Sequence, residues 1–298
     1  MIRKNHNILL LLAAWTALFT ACGNDDDTSP FDGREPVLSE NVLPQGNHDY
    51  DQTILEWHRR FGTLPLYRFD EKDWYWGVTS DIRIYYDEKA DKDYGGYLVV
   101  PADERYVGQQ LQLIEDQVLK YLPDEFLRQM LPMKLLLASD IQHDPAAMKG
   151  KVPESQYTHP NTLAGYDYVA FSGGSAHVAE MTQAELAAYK GDGIMLVMGY
   201  AIDNGKIGVP QDFAALSDYA ANFATAAAAY ANGLLSQYGS SPTHDLKQYI
   251  KLMTTTSSER IEAQYLNSYP LIKQKYEIVE DYFKKQYDID LQAIGNGN

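Results

Sequence analysis

Cysteine is almost absent, with Cys22 the only one in 298 residues. A lone thiol cannot close a disulfide within the chain, so the fold has to rest on a packed core. Basic charge is also scarce: 25 Lys and Arg stand against 41 Asp and Glu, a formal net charge of −16. A surface that acidic repels phosphate backbones and anionic headgroups, which excludes nucleic acid as a partner. The apolar stretch from Ile8 to about Phe19 is too short to cross a bilayer comfortably, where a helix needs roughly 20 residues. Three signatures of catalysis are missing as well. There is no Gly-rich phosphate loop, no G-x-S-x-G and no H-E-x-x-H, which argues against the hydrolases that depend on them.

The first residues carry an address. Arg3 and Lys4, the apolar stretch and the small residues before Cys22 have the layout of a secretory signal peptide over 1–21. Leu18-Phe19-Thr20-Ala21-Cys22 resembles a bacterial lipobox, which makes Cys22 the expected lipidation site and explains its solitude. Residues 22–36 hold Asp25, Asp26, Asp27 and two prolines, too polar to fold, and read as a flexible acidic tether. Acidic tracts at that position resemble export signals of outer-membrane lipoproteins. The expected location is therefore the outer membrane, anchored through Cys22 and facing the exterior.

Residues 37–298 show no internal repeat and no long low-complexity break, so one large domain or two small ones can form. Helices are expected at 52–62 and 106–122, and strands at 81–87, 97–101, 133–139, 166–172, 175–181 and 193–200. Ser172-Gly173-Gly174 is a hairpin-turn candidate, and Thr182 with Glu185 forms a capping box that opens a helix. After Pro210 the chain reads as helical, including the alanine-rich LSDYAANFATAAAAY at 216–230. Its apolar stripe is Phe213, Leu216, Ala220, Phe223, Ala227, Tyr230 and Leu234. Strands cluster early and helices late, which is an α+β arrangement. His177 and Glu180 are spaced like a metal pair but fall in an expected strand, where residues three apart point to opposite faces.

Four stretches carry a family likeness: ILEWHRRFGTLPLYRFD (54–70), LPMKLLLASDI (131–141), ANGLLSQYGSSPTHDLKQYIKLMTTTSSERIEA (231–263) and IKQKYEIVEDYFKKQYDIDLQAI (272–294). Together they resemble a family of bacterial surface lipoproteins described as zinc-binding metallopeptidases, often found beside SusC/SusD-type nutrient importers. The likeness is strongest at the C-terminal end. It implies a zincin-like α+β fold over 37–298, with a mixed sheet in the first two thirds and a helical last third. In that family a helix bearing H-E-F-x-H precedes a segment of the form Y-A-S-S-x-x-E-D-F-A-E. Laid on this chain, the motif puts Asp218 and Asn222 at the two histidines, Tyr219 at the glutamate and His244 at the acid.

One carboxylate, one imidazole and an amide make a poor zinc set, and a tyrosine hydroxyl is a poor general base. The expectation is thus a degenerate cleft with no cofactor and no enzymatic activity. The chain would serve as accessory or binding subunit of a TonB-dependent transporter and its nutrient-binding lipoprotein, with a peptide or glycan as ligand. Two other readings stay open: an active zinc metallopeptidase with a non-standard metal site, and a glycan- or peptide-binding surface protein independent of an importer.

Overall fold

The stretch KLLLASDIQHD has the apolar density of a strand covered on both faces, and it forms the long strand β5 (Lys134–Asp144). The computed structural model describes residues 42–75, 85–87, 89, 92–144, 154–238 and 240–297. Cys22, the signal peptide and the acidic tether lie outside the described residues. Leu43–Asn298 forms one compact unit.

Around β5 lie β1 (Leu64–Leu66), β4 (Gly96–Pro101), β6 (Thr162–Ala164) and β7 (Tyr168–Phe171), while β2 (Tyr85–Asp87) and β3 (Lys92–Tyr94) make a separate antiparallel pair. The first part of β5 pairs in parallel with β1 and with β7, as in Leu66 opposite Leu136 and Leu137 opposite Phe171. Its second part pairs antiparallel with β4, and β6 closes antiparallel on β7. Side chains alternate across the sheet. Leu135, Leu137, Val169 and Phe171 enter the large core beneath the helices. Leu136, Ala138, Ile141 and Ala170 enter a smaller core with Leu66, Trp74 and Val99.

The helices are α1 (Asp51–Phe61), α2 (Glu71–Trp74), α3 (Val107–Gln117), α4 (Asp124–Met130), α5 (Gln183–Asp203), α6 (Gln211–Ala214), α7 (Ala226–Ala231), α8 (Pro242–Thr255), α9 (Ser258–Ile261), α10 (Pro270–Tyr287) and α11 (Leu291–Asn296). The fold is α+β, with a mixed sheet early and a helical C-terminal region, as expected. Among the described residues no helix is long and apolar enough to cross a membrane.

Three expected elements differ. The apolar run at 193–200 is not a strand but the second half of α5, which starts at the Thr182–Glu185 capping box. It is buried almost all round because α5 is in contact with β6, β7, α3, α4 and α8, so its composition looks the same as that of a buried strand. Residues 175–181 hold a 3-10 turn, Ala176–Ala179, in place of a strand. The alanine-rich helix at 216–230 exists only as α7, and the stripe from Phe213 to Leu234 is therefore not one face. Asp218 accepts from the Ala220 N–H at 3.0 Å and Thr225 from the Ala228 N–H at 3.2 Å. Such side-chain bonds compete with helix and then restart it.

Candidate functional site

Asp218 and Asn222 lie exposed in the irregular segment before α7, and His244 lies exposed in the first turn of α8. The His244 ring nitrogen Nε2 is 3.3 Å from the Gln248 amide nitrogen. Only Tyr219 of the four expected residues joins a buried polar cluster. Its hydroxyl donates to Asp245 Oδ2 at 2.9 Å and accepts from Lys275 Nζ at 3.1 Å. Lys275 also donates to Ser217 Oγ at 2.8 Å and pairs with Asp245, and the Phe213 ring lies 4.1 Å from its ammonium. Burial pushes the Asp245 carboxyl up and the Lys275 ammonium down, and their mutual attraction opposes both shifts.

A different place has the shape of a binding site. A cleft of about 540 Å³ opens between the middle of β5, the end of β7 and the first half of α5. Successive strand residues normally face opposite ways, yet Ser139 and Asp140 both line it. The cause is a bulge: Val100 pairs with Asp140 and Pro101 with Ala138, leaving Ser139 as the extra residue. Bulges re-aim side chains in this way beside functional sites.

After β7, Ser172 and Gly173 form the floor, where Gly173 has φ +100°, a conformation that favours glycine. The expected hairpin is absent here, because the Gly174 N–H is spent on the Ala138 carbonyl. Buried Gln110 holds this floor by donating from Nε2 to the carbonyls of Ala138, Phe171 and Ser172 at 2.9–3.0 Å. A side chain at Gly174 would run into the Gln110 amide oxygen.

Two imidazole–carboxylate pairs face the cleft. His159 donates from Nδ1 to Asp140 Oδ1 at 2.9 Å, and Asp140 Oδ2 accepts from Gln142 at 3.0 Å. His177 donates from Nε2 to Glu185 Oε1 at 2.9 Å. Glu185 Oε2 accepts from the Thr182 N–H and hydroxyl, each at 2.7 Å. Those Thr182 bonds and then His177 draw the Glu185 carboxyl down to about 2. His177 thus has its partner in the helix cap and not in Glu180, where strand spacing was considered. The capping box was the visible signal for Glu185. For Asp140 and His159, 19 residues apart, the sequence offers none.

Residues 78–292 match the model of a family described as "Putative zinc-binding metallo-peptidase". The chain belongs to this metallo-peptidase family. A solved structure from Bacteroides caccae carrying the same description shares 15% identity, covers 84% of this chain and 92% of that one, and superposes with a TM-score of 0.50. At that identity the likeness speaks for the fold. Among curated proteins nothing matches. The expectation that the chain is not an enzyme is overturned by these matches, since family and structural neighbour are both described as metallo-peptidases and point to a peptidase.

Zinc sites in proteins use three or four His, Cys, Asp or Glu ligands at about 2.0–2.3 Å. Among the described residues of this family member, no group of three or more such side chains is positioned to hold a metal ion. The described residues therefore offer no donor set that fits a resident zinc ion, and in the cleft they present imidazoles, carboxylates and hydroxyls.

Proposed function

We propose that this chain is a lipid-anchored outer-membrane peptidase that takes peptides into the cleft between the bulge of β5 and the first half of α5. Membership of the metallo-peptidase family supports peptides as the substrate class. The observation that carries the site is the pair of imidazoles, His159 and His177, each held by a carboxylate on one ring nitrogen and bordering one cavity. A carboxylate partner fixes the tautomer and orientation of a histidine, which suits the remaining nitrogen to proton transfer. The lipobox around Cys22 and the acidic tract after it support the membrane anchor. The likeness to importer-associated lipoproteins supports a place beside a TonB-dependent transporter and its nutrient-binding lipoprotein.

Incubation of the purified protein with a mixed peptide library, followed by mass spectrometry, tests the reading. Cleavage should appear with the native chain and fall by roughly 10² or more in His159→Ala or His177→Ala, the range a general acid or base contributes. A library left intact at high protein concentration, or cleavage indifferent to both substitutions, would refute it. Copurification of a TonB-dependent transporter from solubilised membranes checks the partner.

A further inference from the structure

The ionisable lining of the cleft is one-sided. Asp140 and Glu185 border it together with His159 and His177, and among the described residues no lysine or arginine does. An imidazole is cationic only when protonated, so among the described residues the two carboxylates meet no permanent positive charge in the lining. Hydrogen-bond acceptors are present too. The Asn161 amide donates from Nδ2 to Asp192 at 2.9 Å, and its carbonyl oxygen can accept. The hydroxyls of Ser139, Ser172 and Ser175 can accept as well. A partly enclosed cavity lined by one sign of charge focuses the field and concentrates ligands of the opposite sign.

We propose that the cleft selects the cationic nitrogen of a peptide, either its N-terminal ammonium or a lysine or arginine side chain, with Asp140 as the main specificity determinant. Asp140 has this role because the bulge at Ser139 turns it into the cavity and each of its oxygens carries a single hydrogen bond, from His159 and from Gln142, whereas Glu185 already accepts three, from His177 and twice from Thr182. The volume of about 540 Å³ lies in the usual range of ligand sites and suits a peptide end of a few residues. This inference rests on the peptide reading above.

Calorimetric titration of the mature lipoprotein in detergent with four probes separates the outcomes. The probes are Ala-Ala-Ala-Ala amide with a free amino end, the same peptide N-acetylated, N-acetyl-Ala-Ala-Lys-Ala amide and N-acetyl-Ala-Ala-Glu-Ala amide. The free-amino or the lysine peptide should bind at least about tenfold more tightly than the neutral one, with the glutamate peptide weakest. Which of the first two wins distinguishes an N-terminal from a side-chain ligand. Asp140→Asn should remove most of that preference, read as the ratio of cationic to neutral affinity within the same variant, with circular dichroism reporting an intact fold. Equal affinity for cationic and neutral peptides, or a preference unchanged in Asp140→Asn, overturns the inference alone. Failure of every peptide to bind overturns the peptide reading along with it.

Discussion

Lys275 is fully buried, and its three ammonium protons meet three oxygens, those of Ser217, Tyr219 and Asp245. A charge survives in such a place only while its partner is present. Lys275→Met should therefore cost about 3–5 kcal/mol in urea unfolding by stranding the Asp245 carboxylate. Replacing both residues, Lys275→Met with Asp245→Leu, should recover most of that loss; a double variant no better than the single one would show that the pair is not the cause. Glu185 gives a pH signature of opposite kind. Its folded value of about 2 lies below its ordinary 4.5, so between those values the unfolded chain binds more protons and stability rises with pH. The contribution is complete above about pH 5 and is lost as pH falls through 2. Melting temperature recorded from pH 2 to 6 should climb less steeply in Glu185→Gln than in the native chain; parallel curves would refute the capping account.

Helix α5 illustrates how one element can be legible at one end and hidden at the other. Its start was readable because Thr182 and Glu185 satisfy one another's backbone groups locally, whereas Gly191 and Gly193 look like an interruption. The structure gives those glycines a packing reason. A Cβ at Gly193 would come within 2.3 Å of the Val118 side chain, and one at Gly191 within 2.9 Å of Thr255. At Gly199 nothing lies within 4 Å. Alanine gains up to about 1 kcal/mol over glycine within a helix, but an overpacked core site costs about 1–3 kcal/mol. Gly199→Ala should thus raise the unfolding midpoint and Gly193→Ala lower it. If both variants shift it in the same direction, propensity or packing alone governs the helix.

For the whole molecule, anchor and domain should be separable. On the proposed anchoring through Cys22, Cys22→Ser should leave the unit Leu43–Asn298 folded while releasing the protein from membranes, because the lipid chain would supply the membrane affinity. Fractionation of cells and circular dichroism of the soluble form check the two halves of that statement. Tight membrane retention after signal removal would dismiss the lipid assignment.

Local chemistry was enough to make several features readable from the residues: α1, β4, β5, β7, the cap of α5, the α+β order and the family likeness all follow from short-range pattern. The helix at 216–230 failed as an expectation because alanine propensity, a few tenths of a kcal/mol per residue, is weaker than the bonds that Asp218 and Thr225 make to nearby backbone and the pull of buried Lys275 on Ser217 and Tyr219. With that helix went the placement of three of the four expected site residues. The cleft was out of reach for another reason. It depends on an extra residue in β5 that matters only opposite β4, on Gln110 reaching Ala138 and Phe171 across 28 and 61 positions, and on Asp140 meeting His159. Sequence determined which segments would be apolar or capped, since those properties reside in neighbouring residues; tertiary structure decided which distant side chains share a cavity, because register and packing bring them together only once the sheet and α5 have closed on each other.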